Sequence, residues 1–168
     1  VLPLGNGFTL PQRGGKVGRE LLVGGGVGIA PLLYLGKELV KRGVEPVFLL
    51  GGRSAKDILQ LDEFAKYGRV FITTEDASAG EQGFVTQHSL LRREKFDLIA
   101  TCGPKPMMVA VAKYAAQSGT ACEASLENLM ACGLGACLCC VEPNAEGHNV
   151  CVCKEGPIFN INKLSWLN

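Results

Sequence analysis

Six of the chain's eight cysteines fall between Cys132 and Cys153, and this density limits what the carboxy-terminal part can fold into. Residues 126–168 show little helical periodicity and only brief candidate strands, Asn149–Cys153 and Ile158–Ile161. A unit this short buries too little apolar surface to support a normal core alone, so a staple between side chains is expected. No charged-then-apolar leader with a small-residue cleavage site opens the chain. The cysteines are therefore expected in a reducing, cytoplasmic setting, where clustered thiols more often hold metal than form disulfides.

Composition narrows the partners. Of 168 residues, 17 are Lys or Arg and 16 are Asp or Glu, giving a net charge of +1. That balance argues against a nucleic-acid binder working through a basic face, and it gives no reason to expect attraction to an anionic membrane. The longest apolar-rich stretch, Ile29–Val40, is interrupted by Lys37 and Glu38 and is far short of the roughly 20 residues that span a bilayer. The 47% hydrophobic content is ordinary for a globular protein.

Between the polar, Gly-rich lead-in of residues 1–19 and residue 125, short apolar runs alternate with helical spacing. The runs are Glu20–Val23, Pro46–Leu50, Arg69–Thr73, Asp97–Thr101 and Ala121–Ser125. Helices are expected over Ile29–Arg42, from Ser54 or Asp57 through Tyr67, over Phe84–Arg93 and over Lys105–Ser118. Such alternation predicts an α/β fold: a five-stranded parallel sheet with helices on both faces over 20–125, followed by a small Cys-rich domain over 126–168. The chain begins with Val1 and opens in what reads as a loop, so a longer parent protein is expected.

Leu22-Val-Gly-Gly-Gly-Val-Gly-Ile-Ala-Pro31 joins the first strand to the first helix. Glycine suits this position because a diphosphate must approach the backbone closely, and the helix N-terminus offers free N–H groups and a positive dipole end. Gly24, Gly25, Gly26, Val27 and Gly28 are thus candidate nucleotide contacts; a tight turn without a ligand is the alternative. Two more candidates follow strand ends on the ligand-binding side of such a sheet. Arg53, in Gly51-Gly-Arg-Ser54, could reach a ribose, phosphate or adenine, or stay a solvated surface residue. Cys102, in Cys102-Gly103-Pro104, could line a nicotinamide pocket, or be a buried small apolar side chain.

The cysteines read Cys132-x4-Cys137-x2-Cys140-x12-Cys153, with Cys139 and Cys151 in addition. The first three reproduce the C-x4-C-x2-C spacing of plant-type ferredoxins, which hold a 2Fe–2S cluster through four thiolates. A short loop that wraps a cluster must turn tightly, and Gly133 and Gly135 permit it. Cys153 or Cys151 would supply the fourth ligand. Structural zinc is the competing reading, but zinc favours paired C-x2-C knuckles, and Cys151-x-Cys153 makes a poor second one. His148 is a further candidate zinc ligand. A nicotinamide exchanges two electrons at once and a 2Fe–2S cluster one, so a flavin is expected between them.

These pieces together resemble the electron-transfer subunits of heterodimeric dihydroorotate dehydrogenases, within the ferredoxin–NADP reductase superfamily. The matching strings are Leu4-Gly-Asn-Gly-Phe8, Gly24–Pro31, Leu50-Gly-Gly-Arg53, Thr74-Glu-Asp76 with Gly83–Thr86, Cys102-Gly-Pro104, Ser125-Leu-Glu127 with Met130-Ala-Cys-Gly-Leu-Gly-Ala-Cys137, and Cys153-Lys-Glu-Gly-Pro157. The resemblance implies an FAD barrel preceding Val1, a central NAD domain and a terminal 2Fe–2S domain. It implies electron transfer between NAD and an FMN-containing catalytic subunit that oxidises dihydroorotate, in pyrimidine biosynthesis. No general acid or base is expected in this chain. Gly5, Asn6 and Gly7 would lie near the FAD, and Ser125–Met130 would face the flavin and the partner. Because the family's fourth ligand precedes Gly-Pro, the resemblance selects Cys132, Cys137, Cys140 and Cys153 as ligands. It normally lacks cysteine at the positions of Cys139 and Cys151. Related small subunits of NADPH–ferredoxin oxidoreductases tend to carry Asp where Cys132 stands. A stand-alone NAD(P)H reductase and a zinc-stapled nucleotide-binding module are the other readings.

Overall fold

Leu21, Leu22 and Val23 are all buried, although neighbouring strand residues point to opposite faces; this strand must therefore be covered on both sides. The computed structural model, described here for residues 5–12 and 18–167, shows how. Leu4 and the glycines at 14 and 15 lie outside the described residues.

The elements run β1 (Glu20–Gly25), α1 (Ile29–Val40), β2 (Val47–Gly52), α2 (Leu61–Ala65), β3 (Arg69–Thr74), β4 (Glu81–Gln82), α3 (Leu90–Arg93), β5 (Leu98–Cys102), α4 (Lys105–Ser118), β6 (Ala121–Ser125), β7 (Val141–Pro143), β8 (Asn149–Cys151), α5 (Val152–Glu155) and β9 (Ile158–Asn160). The main sheet has the order β4-β3-β2-β1-β5-β6-β9, and β7 pairs with β8 in a separate antiparallel ribbon. The five expected strands form its parallel centre, and two short edges extend it to seven. β4 adds two residues in parallel beside β3, and β9 runs antiparallel to β6, pairing Ala124 with Phe159.

One face of the sheet is covered by α1 and α2, where Leu32, Leu35, Leu39 and Phe64 meet Leu22, Phe48, Leu50 and Ala100. The other is covered by α4, whose Met108, Val111, Ala112 and Ala115 meet Leu21, Val23, Leu49 and Ile99. The carboxy-terminal residues share that second core: Val152, Phe159, Ile161, Leu164 and Trp166 belong to the same buried cluster. Apolar packing thus ties much of residues 126–167 to the sheet.

Three expected elements are shorter than the pattern suggested. The helix expected through Tyr67 divides into a 3-10 turn at Ala55–Asp57, capped by Ser54 and Asp57, and α2, with Gln60 left-handed between them. The helix expected over Phe84–Arg93 is a 3-10 turn at Val85–Gln87 followed by α3. The strand expected over Asn149–Cys153 ends at Cys151, because the Val152 N–H turns to donate to the Cys140 carbonyl and a helical turn begins.

Candidate functional site

The chain builds β1, β2 and β3 outward on one side, then returns to lay β5 on the other side of β1. The crevice beyond the carboxyl ends of β1 and β5 is the switch point at which open α/β sheets bind ligands. The turns after these strands touch there. A Cβ at Gly28 would lie 2.5 Å from Gly103 Cα and from Gly103 N, so only glycine allows the two backbones this close.

Two cavities meet at this point. One, of about 640 Å³, extends from Gly25 and Gly26 past Gly51, Arg53 and Glu75 to Phe84 and Met107. Thr73 also lines it, with a hydroxyl that is itself buried and has no hydrogen-bond partner among the described residues. The other, of about 280 Å³, runs from Gly25–Gly28 past Gly103 and Pro104 to Leu126, Glu127 and Asn128. Gly25, Gly26 and Pro104 line both, so together they make one trough with the glycine turn at its middle. The positive φ of 57° at Gly26, with open space where a Cβ would project, leaves the backbone bare on the trough floor.

Of the sequence candidates, Gly25, Gly26, Val27, Gly28, Arg53, Gly103 and Pro104 border this trough. Gly24 does not; its Cβ position faces Leu32 and Ile29 of α1. Cys102 is buried in the α1-side core, where burial pushes its thiol up from the ordinary value despite a hydrogen bond with Ser125. Gly5, Asn6 and Gly7 lie elsewhere: Gly5 and Asn6 sit against the segment that follows Cys153, and Gly7 is exposed. Asn6 Nδ2 donates to the Ile158 carbonyl at 2.8 Å, its Oδ1 accepts from the Ile158 N–H at 2.9 Å, and its own N–H donates to the Gly156 carbonyl. Sequence reasoning did not single out Phe84, an exposed aromatic on the cavity wall. Its one sequence signal is a large apolar residue in a Gly-rich turn.

The inner end of the trough abuts the thiol-bearing segment. Asn128, which lines the trough, directs its amide toward the carbonyls of Cys140 and Val141 at 3.5 and 3.4 Å. In the loop between Cys132 and Cys140, Gly133, Gly135 and Leu138 all have positive φ, which curls the backbone around its own sulfurs. The N–H groups of Leu134 and Cys137 donate to Cys132 Sγ at 3.3 and 3.4 Å. These donors, that of Cys137 foremost, lower the Cys132 thiol to about 6. The Cys153 N–H donates to Cys140 Sγ at 3.4 Å, and this lowers the Cys140 thiol.

Among the described residues no group of three or more His, Cys, Asp or Glu side chains is arranged to hold a single metal ion. The four candidate ligands stand instead in two pairs, Cys132 beside Cys137 and Cys140 beside Cys153. All eight thiols are free. His148 lies exposed in the β7–β8 turn, with its N–H on Asn144 Oδ1.

Residues 22–113, more than half of the chain, match the family model for the oxidoreductase NAD-binding domain. The chain belongs to that family. Beyond this NAD-binding domain, residues 127–165 match the model for the iron-sulfur cluster binding domain of dihydroorotate dehydrogenase B. The chain is 44% identical over 165 residues to the dihydroorotate dehydrogenase B (NAD(+)) electron transfer subunit of Listeria welshimeri, covering 97% of this chain and 64% of that protein. It is 43% identical over 152 residues to the probable subunit of the same name from Methanocaldococcus jannaschii, covering 89% of this chain and 58% of that protein. A solved structure of an NADH-dependent reduced ferredoxin–NADP oxidoreductase, reported in work on flavin-based electron bifurcation, matches with a TM-score of 0.82 and 34% identity, over 99% of this chain and 59% of that one. The chain thus spans less than two thirds of the length of these relatives. Among the described residues no helix is long and apolar enough to cross a membrane.

Proposed function

We propose that this chain carries electrons between NAD(H) and an FMN-containing dihydroorotate dehydrogenase catalytic subunit, through FAD and a 2Fe–2S cluster, in pyrimidine biosynthesis. The observation that carries this reading is the continuity of the trough with the thiol loop through Asn128. The similarity to named electron transfer subunits at 44% identity supports it.

Each residue group has a part. Gly25–Gly28, Gly103 and Pro104 accept the diphosphate against bare backbone, and Arg53 contacts the outer half of the dinucleotide. Cys132 and Cys137 would hold one iron, and Cys140 and Cys153 the other. Four thiols in two pairs, with backbone N–H groups aimed at the sulfurs, suit two bridged irons better than one tetrahedral zinc. A flavin supplies the exchange between the paired electrons of a nicotinamide and the single electrons of such a cluster. In this reading residues 20–125 are the NAD-binding part, 126–168 the cluster part and 1–19 the lead-in, with Gly5–Gly7 on the FAD side.

The surface around the thiol loop fits a docking role. Leu129, Met130, Leu134 and Leu138 are exposed, and apolar side chains concentrated at one site mark a contact face. Short gaps for electron transfer favour docking there.

The test is co-purification of the full protein with a dihydroorotate-oxidising subunit, followed by NAD⁺ reduction with dihydroorotate as donor. NAD-linked turnover only in the complex is the expected result. A full protein that reduces diffusible acceptors at full rate and binds no such subunit contradicts the proposal in favour of a stand-alone reductase.

A further inference from the structure

Cys151 has no part in the ligand set above, yet its thiol reaches the same loop as Cys153. It closes β8 and caps α5, whereas Cys153 sits one residue into that helical turn. The two thiols meet the same residue. The Cys151 Sγ–H donates to the Gly135 carbonyl at 3.8 Å, and the Gly135 N–H is directed at the Cys153 sulfur. A Cβ built on Gly135 would lie 3.8 Å from Cys151 Sγ, beside the Lys154 side chain at 3.4 Å, so that thiol is in contact range of the loop. β8 is held by its pairing with β7, Cys151 opposite Val141, and by the bond from Val152 N–H to the Cys140 carbonyl. The frame that fixes Cys140 therefore fixes both thiols. Cys139 differs: it is exposed and donates to the Cys137 carbonyl at 3.9 Å.

We propose that Cys151 is a standby ligand, able to replace Cys153 at the fourth position of the cluster while Cys132, Cys137 and Cys140 stay bound. The exchange is ligand substitution without redox change: one iron–sulfur bond to Cys153 is lost, one to Cys151 forms, and the proton of the Cys151 thiol passes to the released thiolate or to solvent. The proposal rests on the cluster reading above.

The test uses the full protein, purified or reconstituted without oxygen, with iron and acid-labile sulfide per chain, visible absorption and paramagnetic resonance as readouts. Cys153→Ala is expected to keep most of its iron and sulfide, with an altered resonance line shape from the new ligand geometry. Cys140→Ala and the double variant Cys151→Ala/Cys153→Ala are expected to lose nearly all of both. Cys139→Ala/Cys153→Ala should match Cys153→Ala, and Cys151→Ala should match the parent protein. The proposal is overturned by a folded Cys153→Ala as empty as Cys140→Ala, or by a double variant as full as the single one. Should Cys153→Ala fail to fold, Cys153→Ser decides. Thiolate ligation from Cys151 leaves the charge-transfer bands where they were, whereas ligation by the harder serine oxygen moves them to shorter wavelength and contradicts the proposal. A parent protein that contains zinc and no sulfide overturns the cluster reading itself, and the standby role with it.

Discussion

Lys105 Nζ lies 2.6 Å from Glu142 Oε1, joining the first residue of α4 to the strand that follows the thiol loop. Glu142 is buried and also accepts the indole N–H of Trp166 at 3.0 Å. One carboxylate thus ties together α4, the cysteine segment and the carboxy-terminal turn.

Glu142→Leu removes the acceptor for a buried indole N–H and leaves Lys105 unpaired. A loss of about 1–3 kcal/mol is expected from the orphaned donor, read as a lower midpoint in thermal or urea unfolding. The pair also sets an acid limit. Burial pushes the Glu142 carboxyl up, but the hydrogen bonds from Lys105 and Trp166 outweigh it and hold the group below its ordinary value of 4.5. Its stabilising contribution is complete above the ordinary value and is lost as pH falls through the depressed folded one. Melts at falling pH should show that loss in the parent protein and not in Glu142→Leu.

Glu20 behaves in the opposite sense. Burial at the start of β1, with the Glu123 carboxylate adding to it, raises its carboxyl from 4.5 to about 7. Thr9 holds Glu123 in place through its backbone N–H and hydroxyl. Between these two pH values the unfolded chain has released the Glu20 proton and the folded chain has kept it, so stability falls as pH rises from 4.5 to about 7 and levels off above. The change is on the order of 3 kcal/mol. Glu20→Gln should flatten that part of the pH–stability profile and be the more stable form above the window.

Gly26 and Gly28 separate binding from folding. An alanine at Gly28 would press on the Gly103 backbone 2.5 Å away, and overpacking of this kind costs about 1–3 kcal/mol. An alanine at Gly26 meets no neighbouring atom, but it carries a left-handed backbone strain of about 1–2 kcal/mol and projects a methyl into the trough. Gly28→Ala should therefore show chiefly as lost stability. Gly26→Ala should fold with a modest loss and bind NADH about tenfold more weakly, equivalent to about 1.4 kcal/mol, as titration by cofactor fluorescence would measure.

The parallel centre of the sheet was legible because its strands are continuous apolar runs bounded by glycine or charge, and because α1 and α4 are long enough to show a face. β4 was not, since two residues carry no periodicity and exist only through pairing with β3; β9 was expected as a brief strand over Ile158–Ile161, but its antiparallel pairing with β6 was not. The spacing of Cys132, Cys137 and Cys140 was legible because a single loop imposes it locally. The Lys105–Glu142–Trp166 link was not, since its members are separated by 37 and 24 residues. Asn6 shows a further limit: its bonds to the backbone of residues 155–158 join positions 149 and 152 residues apart, which no local pattern announces.

In the proposed function four thiolates, from Cys132, Cys137, Cys140 and Cys153, hold a two-iron cluster at the end of the trough. Iron, zinc and acid-labile sulfide, measured on anaerobically purified parent protein and on Cys137→Ser together with paramagnetic resonance after dithionite reduction, test it most directly. Equal iron and sulfide, a red-brown colour and a one-electron signal are expected in the parent, all lost in Cys137→Ser while NADH binding persists. Stoichiometric zinc with a silent spectrum in the parent, or an unchanged colour in Cys137→Ser, would contradict it.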